Sequence, residues 1–475
     1  MKKEALKNLT PEQKRAMLAR LLAQKSAVCK TAFVLQGLFT ICAMNNTPAW
    51  HMRSTIRFFR KQDPEMLRSR MQRIVDRHPA LRTTYRIPPD KEIEHLGRIL
   101  AMRIDSTEFW EVCAERWVEQ EVHPKHTLHF TVTDARDWTV EQLREKLMSD
   151  ALEAYHLGQL PVCRLRLYQR KNDDVMQFDI HHCAADLWSL EIIQSELEVP
   201  PTGPPPAGFP EFCTWQHAWY DLPKAQEMRE WWTSELEGCP NLALTHSEDH
   251  DVADFVSFQL DSELVARARA VCRTHRATLF NLMLSTLQVT VGRMLGRAEF
   301  AIGGAVANRP HQRFEQTVGF FAQLVLYRRN LEDFGTWSEL WDANRTTIGE
   351  VLKRQFFPVT TATKAPRTDI WLMFQQYQKA RWVEGDLPQG EPLGLRSGGV
   401  VDSPLGPWEF LFVEPPYLSA PAMMEIVEQK DGMQGNFRFR TPCMTRRQAE
   451  MFADEFQDQL KRALAEPQGS ILIEP

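Results

Sequence analysis

Two adjacent histidines, His181 and His182, are the residues of this chain whose type and spacing point most directly to chemistry. They follow an apolar stretch, and Asp186 comes four residues after His182. Imidazole has an ordinary pKa near neutral pH, so a histidine at the end of a strand is suited to act as a general base or proton shuttle. The alternative is that both histidines only satisfy local hydrogen bonds where the strand ends.

The flanking segments predict how the two imidazoles are held. Residues 175–182 alternate as a strand, which places His182 on the apolar face and His181 on the opposite one. His181 is therefore predicted to be structural. Asp186 is predicted to cap a helix over residues 187–197. The sequence thus predicts a strand, a tight turn and a helix, with His182 presented from the turn region.

Composition limits the classes of protein to consider. The chain has 475 residues, of which 43% are hydrophobic, and this length predicts two lobes. A net charge of -5 argues against a nucleic-acid partner. No apolar run is long enough for a membrane span, and no signal peptide follows Met1. Nine cysteines without a CxxC pair predict reduced thiols, a cytoplasmic protein and no metal site.

Strands and helices alternate in both halves of the chain, which predicts an α/β fold of two lobes. Residues 1–28 are predicted to form an N-terminal linker or docking helix, with Thr10 as its cap. Residues 29–198 form the predicted first lobe. Residues 199–210 are rich in proline and form the predicted linker, and residues 211–475 form the predicted second lobe.

Five short segments share an order and spacing with one protein family. They are HHCAADLWS at 181–189, RHPALRTTY at 77–85, YHLGQLPVCR at 155–164, IGGAVANR at 302–309 and GFFAQLVLYR at 319–328. In this combination the chain resembles the condensation domains of nonribosomal peptide synthetases, whose signature is HHxxxDG followed by Trp-Ser. The resemblance extends from about residue 30 to the C-terminus.

The resemblance implies two lobes similar to chloramphenicol acetyltransferase, arranged as a V-shaped pseudodimer with a tunnel between them. It further implies a monomer that works with a donor and an acceptor carrier protein. Each carrier would present a phosphopantetheine arm, and no cofactor would be bound tightly. An acceptor amine, or in some members a hydroxyl, would attack the acyl or peptidyl thioester to give an amide or ester in natural-product biosynthesis.

The same resemblance assigns roles to individual residues. His182, His181 and Asp186 form the expected catalytic set, with His182 as general base or as the group that positions the nucleophile. Asp186 would either orient His182 or form a structural ion pair with Arg309. Four residues are expected to line the tunnel: Leu187, Trp188, Ser189 and Gln323.

Two departures from the family pattern leave alternatives open. Leu187 stands where the family has glycine, and Gln323 where it has asparagine. A leucine at this position is expected to narrow the tunnel or force a different turn. The departures indicate either an atypical donor or acceptor, or a non-catalytic recruitment domain of the same fold. A coenzyme A-dependent acyltransferase is a third possibility, which the lack of a DFGWG element disfavours.

Overall fold

The structure is a computed structural model, and it describes residues 27–44, 47–88, 91, 117–244, 252–359, 365–375, 382–383, 391–430 and 432–471. The predicted N-terminal helix lies outside these residues, apart from its last two positions, which begin strand β1. None of the helices in the described part is long and apolar enough to cross a membrane.

The described strands and helices alternate along the chain. The strands are β1 (Ala27–Lys30), β2 (His51–Phe58), β3 (Thr83–Arg86), β4 (Glu119–Val122), β5 (His129–Asp134), β6 (Cys163–Gln169), β7 (Asp174–His181), β8 (Ala253–Asp261), β9 (Glu299–Val306), β10 (Gln323–Asn330), β11 (Ile370–Gln375), β12 (Arg396–Val401), β13 (Trp408–Phe412), β14 (Ala422–Gln429) and β15 (Gly432–Arg440). The helices are α1 (Phe33–Met44), α2 (Pro64–Arg77), α3 (Val140–Ala151), α4 (Leu187–Glu198), α5 (Phe209–Tyr220), α6 (Pro223–Leu236), α7 (Ser262–Thr274), α8 (Leu279–Leu295), α9 (Trp337–Lys353) and α10 (Arg446–Ala465).

Side-chain caps explain where several helices begin. The carboxylate of Asp63 accepts a hydrogen bond from the backbone N–H of the second residue of α2. The side chains of Asp261 and Thr278 accept one from the third residue of α7 and of α8 respectively. Each cap satisfies a backbone N–H that has no partner within the helix. The three helices therefore begin directly after these capping residues.

Two six-stranded sheets form the two lobes, and they repeat one arrangement. In the first sheet β2 pairs antiparallel with β7, β7 antiparallel with β6, and β6 parallel with β5. In the second, β8, β15, β14 and β11 follow the same sequence of antiparallel, antiparallel and parallel pairs. A helix follows the corresponding strand in each, α4 after β7 and α10 after β15. The prediction of an α/β pseudodimer of two lobes is confirmed.

The two lobes are not divided as cleanly as the predicted boundaries suggest. Strand β13 pairs with β2, so residues 396–412 of the predicted second lobe extend the first sheet to the order β12-β13-β2-β7-β6-β5. The predicted linker also ends early, because Phe209 begins helix α5, where Pro210 is tolerated in the first turn. Phe212 packs in the core of the first lobe with Phe209.

The sequence pattern failed to predict strand β2, which lies at the centre of the first sheet. Arg53 and Arg57 interrupt its apolar residues and hide the alternation that marks a strand. Both are buried or nearly so because they pair with Asp179 and Asp173 respectively. A buried charge is tolerated when a carboxylate and further hydrogen bonds compensate it.

Candidate active site

His182 lies just beyond β7, in a single turn of 3-10 helix over His182–Ala184. Its Nδ1 is 2.8 Å from the carbonyl oxygen of Ala185. Because a carbonyl oxygen only accepts, Nδ1 carries the proton and Nε2 presents a lone pair. Among the described residues, none forms a hydrogen bond with Nε2.

The surroundings of His182 keep its imidazole neutral. Burial lowers the pKa of His182, and the hydrogen bond to Ala185 and the charge of Asp186 oppose this shift only in part. A neutral imidazole with a free Nε2 lone pair is the form that accepts a proton. The ring is therefore in the state that a general base requires at neutral pH.

His181 ends strand β7 and is 1% exposed. Its Nδ1 accepts a hydrogen bond from the backbone N–H of Cys183 at 3.1 Å, and its Nε2 lies 3.6 Å from Sγ of Cys42. Burial lowers the pKa of His181 well below its ordinary value. With both ring nitrogens engaged, His181 shapes the turn that carries His182. The two imidazoles therefore have different surroundings because the chain turns after His181, and not because alternate residues of a strand face opposite sides.

Asp186 joins the two lobes through one buried carboxylate. It accepts hydrogen bonds from the backbone N–H of Ser189 (2.8 Å), the guanidinium of Arg309 (3.0 Å) and the backbone N–H of Phe321 (3.1 Å). The structure thus brings Asp186 and Arg309 together. It does not place Asp186 on His182, because the carbonyl oxygen of Ala185 is the partner of the His182 Nδ1–H.

Ser189 holds the second lobe beside Asp186. Its hydroxyl lies 2.6 Å from Oδ1 of Asp186, 2.9 Å from the carbonyl oxygen of Gly319 and 3.1 Å from the backbone N–H of Gly319. The side chain is fully buried. Ser189 was expected to line the tunnel, but these contacts occupy its hydroxyl and place it in the junction between the lobes.

Two aromatic rings from different lobes flank the imidazole of His182. The ring of Phe320, which follows Gly319, is centred 4.6 Å from it, and the ring of Trp50 is centred 6.2 Å from it. The neighbouring hydrogen bonds of Gly319 and Phe321 to Ser189 and Asp186 hold Phe320 in this position. Sequence reasoning did not assign a role to either aromatic residue.

Gly319 has no room for a side chain. A Cβ atom at this position would stand 2.2 Å from the ring of Phe209. We expect Gly319→Ala to destabilise the protein by about 1–3 kcal/mol, because either the ring or the segment that carries Phe320 must shift. Gly349, which has open space around it on α9, is the control. Gly349→Ala should stabilise by roughly 0.5–1 kcal/mol, and urea unfolding of both variants measures the difference.

The segment at residues 77–85 supports the same turn and the helix behind it. The hydroxyl of Tyr85 donates to the carbonyl oxygen of Cys183 at 2.8 Å. His78 and Arg77 bond to the carboxylate of Glu196 on α4, at 3.0 and 3.1 Å. This family-like segment therefore positions the turn and helix around His182 without reaching the imidazole.

The other three residues expected in the tunnel differ in their surroundings. Leu187 is the first residue of α4 and partly exposed, and an ordinary helix start accommodates it without a different turn. Trp188 is 44% exposed, and its Nε1 donates to the carbonyl oxygen of Glu315 in the other lobe. Gln323 is buried at the start of β10, and its Oε1 has no hydrogen-bond partner among the described residues.

A buried charge network lies behind the histidines. Asp179 accepts hydrogen bonds from Arg53 at 3.4 Å and from Arg166 at 2.8 Å. The hydroxyl of Tyr155 donates to the carbonyl oxygen of Asp179, and its ring packs against His51 at 4.9 Å. His51 pairs directly with His181 across β2 and β7. The network holds strand β7, and no pattern in the sequence predicted it.

His51 makes the stability of this network depend on pH. Burial lowers the pKa of His51 to about 4, although the carbonyl oxygen of Ala151 opposes the shift. In the unfolded chain His51 takes up a proton at about pH 6.5, whereas in the folded protein it does so only near pH 4. The folded state therefore has its full stability above the first pH and loses stability as the pH falls towards the second. The free energy of unfolding is expected to fall by at most about 1.4 kcal/mol per pH unit.

A difference measurement isolates this histidine, because burial raises the pKa of Asp179 and gives it the opposite pH slope. We expect the stability difference between the wild type and His51→Asn to shrink steadily from pH 7 to pH 4, as measured by urea unfolding. A difference that stays constant across this range would show that His51 is not held neutral by the fold.

The site provides one proton acceptor, Nε2 of His182, and the contacts between the lobes hold the surrounding residues in place. Cys183 is no candidate nucleophile, because burial raises the pKa of its thiol well above the ordinary value. In the described part of the chain, no cluster of three or more histidine, cysteine or acidic side chains is suited to hold a metal ion. The geometry therefore suits proton transfer to and from a reactant that reaches Nε2 of His182.

Comparisons of this chain with known proteins agree on one family. A family model described as "Condensation domain" matches residues 107–380. A linear gramicidin synthase of Brevibacillus parabrevis is 24% identical over 462 residues, which cover 93% of this chain and 8% of that protein. A surfactin synthase of Bacillus subtilis (strain 168) is 23% identical over 341 residues, or 70% of this chain and 8% of that protein. The chain spans less than a tenth of either relative.

Solved structures share the fold along nearly the whole chain. The condensation domain from the monacolin K polyketide synthase superposes with a TM-score of 0.75 at 16% identity, covering 94% of this chain and 99% of that one. The X-domain from teicoplanin biosynthesis gives a TM-score of 0.74 at 17% identity, covering 94% and 97%. At these identities the likeness concerns the fold alone.

Proposed function

The chain belongs to the condensation-domain family, and we propose on this basis that it joins an acyl or peptidyl thioester to an acceptor amine, forming an amide. A hydroxyl acceptor, which would give an ester, is the variant of the same reaction. The observation that carries the proposal is His182, whose Nδ1 is fixed by Ala185 at 2.8 Å and whose Nε2 is left free. The neutral state of the ring supports a role in proton transfer.

In the proposed reaction the acceptor nitrogen attacks the thioester carbonyl carbon. A carbon–nitrogen bond forms, the carbon–sulfur bond breaks, and the electron pair of that bond leaves with the sulfur. Nε2 of His182 takes the proton that the nitrogen loses and returns it to the departing sulfur, which leaves as a thiol. The imidazole ends neutral, as it began, and the hydrogen bond to Ala185 keeps Nε2 pointed at the reactants throughout.

Gln323 supports a substrate path beside this site. Its buried Oε1 lacks a hydrogen-bond partner among the described residues, and such an atom carries a desolvation cost that a bound donor group would remove. We assign it the role of accepting a hydrogen bond from an N–H of the acceptor or of the phosphopantetheine arm. Trp188 and Leu187, both accessible to solvent in part, complete the proposed tunnel lining.

The proposed substrates arrive on partner proteins. The relatives that this chain matches are large synthetases, of which it spans a small part, and donor and acceptor carrier proteins are the partners that we propose. The thioester would be carried by the phosphopantetheine of these partners, with no cofactor bound tightly by the chain itself.

A non-catalytic recruitment domain is the alternative from a different functional class. Leu187 was the feature in its favour, and the ordinary helix start at Leu187 weakens the argument that this residue forces a different turn. The intact set of His181, His182 and Asp186, with the free Nε2 of His182, favours catalysis.

The proposal is tested by offering the purified chain an acyl-loaded carrier protein with a panel of amines and alcohols. Mass spectrometry of the products then gives the bond that forms. We expect an amide or ester that is absent without the chain. Carrier binding without product across the whole panel would instead support recruitment.

A further inference from the structure

The second lobe contains a pocket that the reaction described above does not use. Its volume is about 700 Å³, within the range of ligand-binding pockets. It lies where the end of α7, the start of α8 and the end of α9 meet the edges of strands β9, β10 and β11. Fifteen residues line it, among them Leu279, Val306, Ile348 and Leu352, and most of the lining is apolar.

Three aromatic rings form one wall of this pocket. Phe280 stands between Tyr327 at 5.5 Å and Phe374 at 6.3 Å, measured between ring centroids. Tyr327 is 2% exposed, and no hydrogen bond joins its hydroxyl to a described residue. A lining of aromatic and aliphatic side chains with few polar groups suits an apolar chain that carries few polar atoms.

The charged residues that line the pocket are two arginines. Arg269 and Arg273 are both exposed residues of α7, and Arg269 forms an ion pair with Glu428. Neither places an unpaired charge in the apolar interior. The pocket therefore does not select a charged ligand inside, and an uncharged hydrocarbon or aryl chain fits its lining.

The pocket lies next to the junction that holds His182. Val306, in its wall, pairs with Gln323, and Ala307 is followed by Asn308. The side-chain amide of Asn308 donates to the carbonyl oxygen of Phe321, beside the ring that packs on His182. One short stretch of backbone thus borders both the pocket and the site.

We propose that this pocket binds the acyl chain of the donor thioester, and that it selects donors with an extended apolar chain. This assignment rests on the proposed function, since it takes the thioester as the donor. Burying each additional methylene group in the pocket should strengthen binding about three- to fourfold, until the chain fills the available volume.

Ala305 offers a means of closing the pocket without disturbing the core. It is an exposed residue of β9 that lines the pocket, so a tryptophan at this position would occupy the space of the chain. Ala266 is an exposed alanine on α7 outside the lining, and Ala266→Trp is the matched control. A second variant, Phe280→Ala, removes part of the aromatic wall without filling the pocket.

The test measures binding of S-alkyl pantetheine thioethers with two to twelve carbons in the alkyl chain, by titration calorimetry. The thioethers cannot transfer an acyl group, so binding is independent of turnover. For the wild type and Ala266→Trp we expect affinity to rise about three- to fourfold per methylene. For Ala305→Trp we expect affinity that does not depend on chain length, and for Phe280→Ala a weaker dependence.

The result separates the pocket from the reaction. The assignment is overturned if affinity rises equally with chain length in Ala305→Trp and in Ala266→Trp. It is also overturned if the affinity of the wild type does not depend on chain length. Failure to form product in the carrier assay, with the chain-length dependence intact, would overturn the proposed reaction and leave the pocket as a site for apolar chains.

Discussion

Replacing His182 by alanine is expected to lower the rate constant of the transfer step by about 10²- to 10⁴-fold, the usual contribution of a general base. The variant loses the free Nε2 and the hydrogen bond to Ala185, but the neighbouring turn keeps the contacts of His181 and Tyr85. Carrier binding and folding should therefore remain near the wild-type level. The measurement is the rate of product formation in a single turnover from a loaded carrier protein.

His129→Ala is the control for the loss of an imidazole. His129 is an exposed histidine of β5, away from the turn that follows β7. We expect its rate to equal that of the wild type. A His182→Ala variant that is folded and as fast as His129→Ala would show that His182 neither accepts the proton nor positions the nucleophile.

Replacing Asp186 by alanine is expected to cost about 3–5 kcal/mol of stability, because it leaves a buried guanidinium unpaired. Both side chains of the pair are only 3% exposed, and the carboxylate also accepts from the backbone N–H of Phe321. The loss should appear as a lower urea midpoint and as a looser junction around Phe320. Activity should fall with the folded fraction of the protein.

A double-mutant cycle with Arg309→Met identifies the cause. Removing both partners eliminates the unpaired charge, so Asp186→Ala/Arg309→Met should be less destabilised than the sum of the single variants. Additive losses would contradict the ion pair. A relay from Asp186 to His182 predicts the opposite pattern, in which Asp186→Asn lowers the rate while stability is unchanged.

Much of the site follows from the sequence because its residues are close in the chain. The strand before His181, the cap at Asp186 and the helix after it depend on local backbone preferences, and all three are found. The pairing of Asp186 with Arg309 spans 123 residues, and only the family resemblance indicated it.

Contacts between distant segments account for what the sequence pattern did not predict. Phe320 reaches His182 because the two lobes dock, and no periodicity encodes that contact. Strands β12 and β13 add to the first sheet although they follow most of the second lobe in the chain. The role of Ala185 as partner of His182 depends on a backbone carbonyl, which any residue type supplies.

The central claim is that neutral His182 accepts the proton of the acceptor during acyl transfer. It is tested by the single-turnover rate between pH 5 and 8, with a loaded carrier protein and a weakly basic oxyamine, each rate being divided by the unprotonated fraction of the oxyamine. Burial lowers the pKa of His182 below its ordinary value of about 6.5. As the pH is lowered, the wild-type rate should therefore stay constant past that value and decline only at a lower pH. The residual rate of His182→Ala should lack this decline. The same decline in both proteins, or a wild-type rate that rises as the pH falls, would contradict the claim.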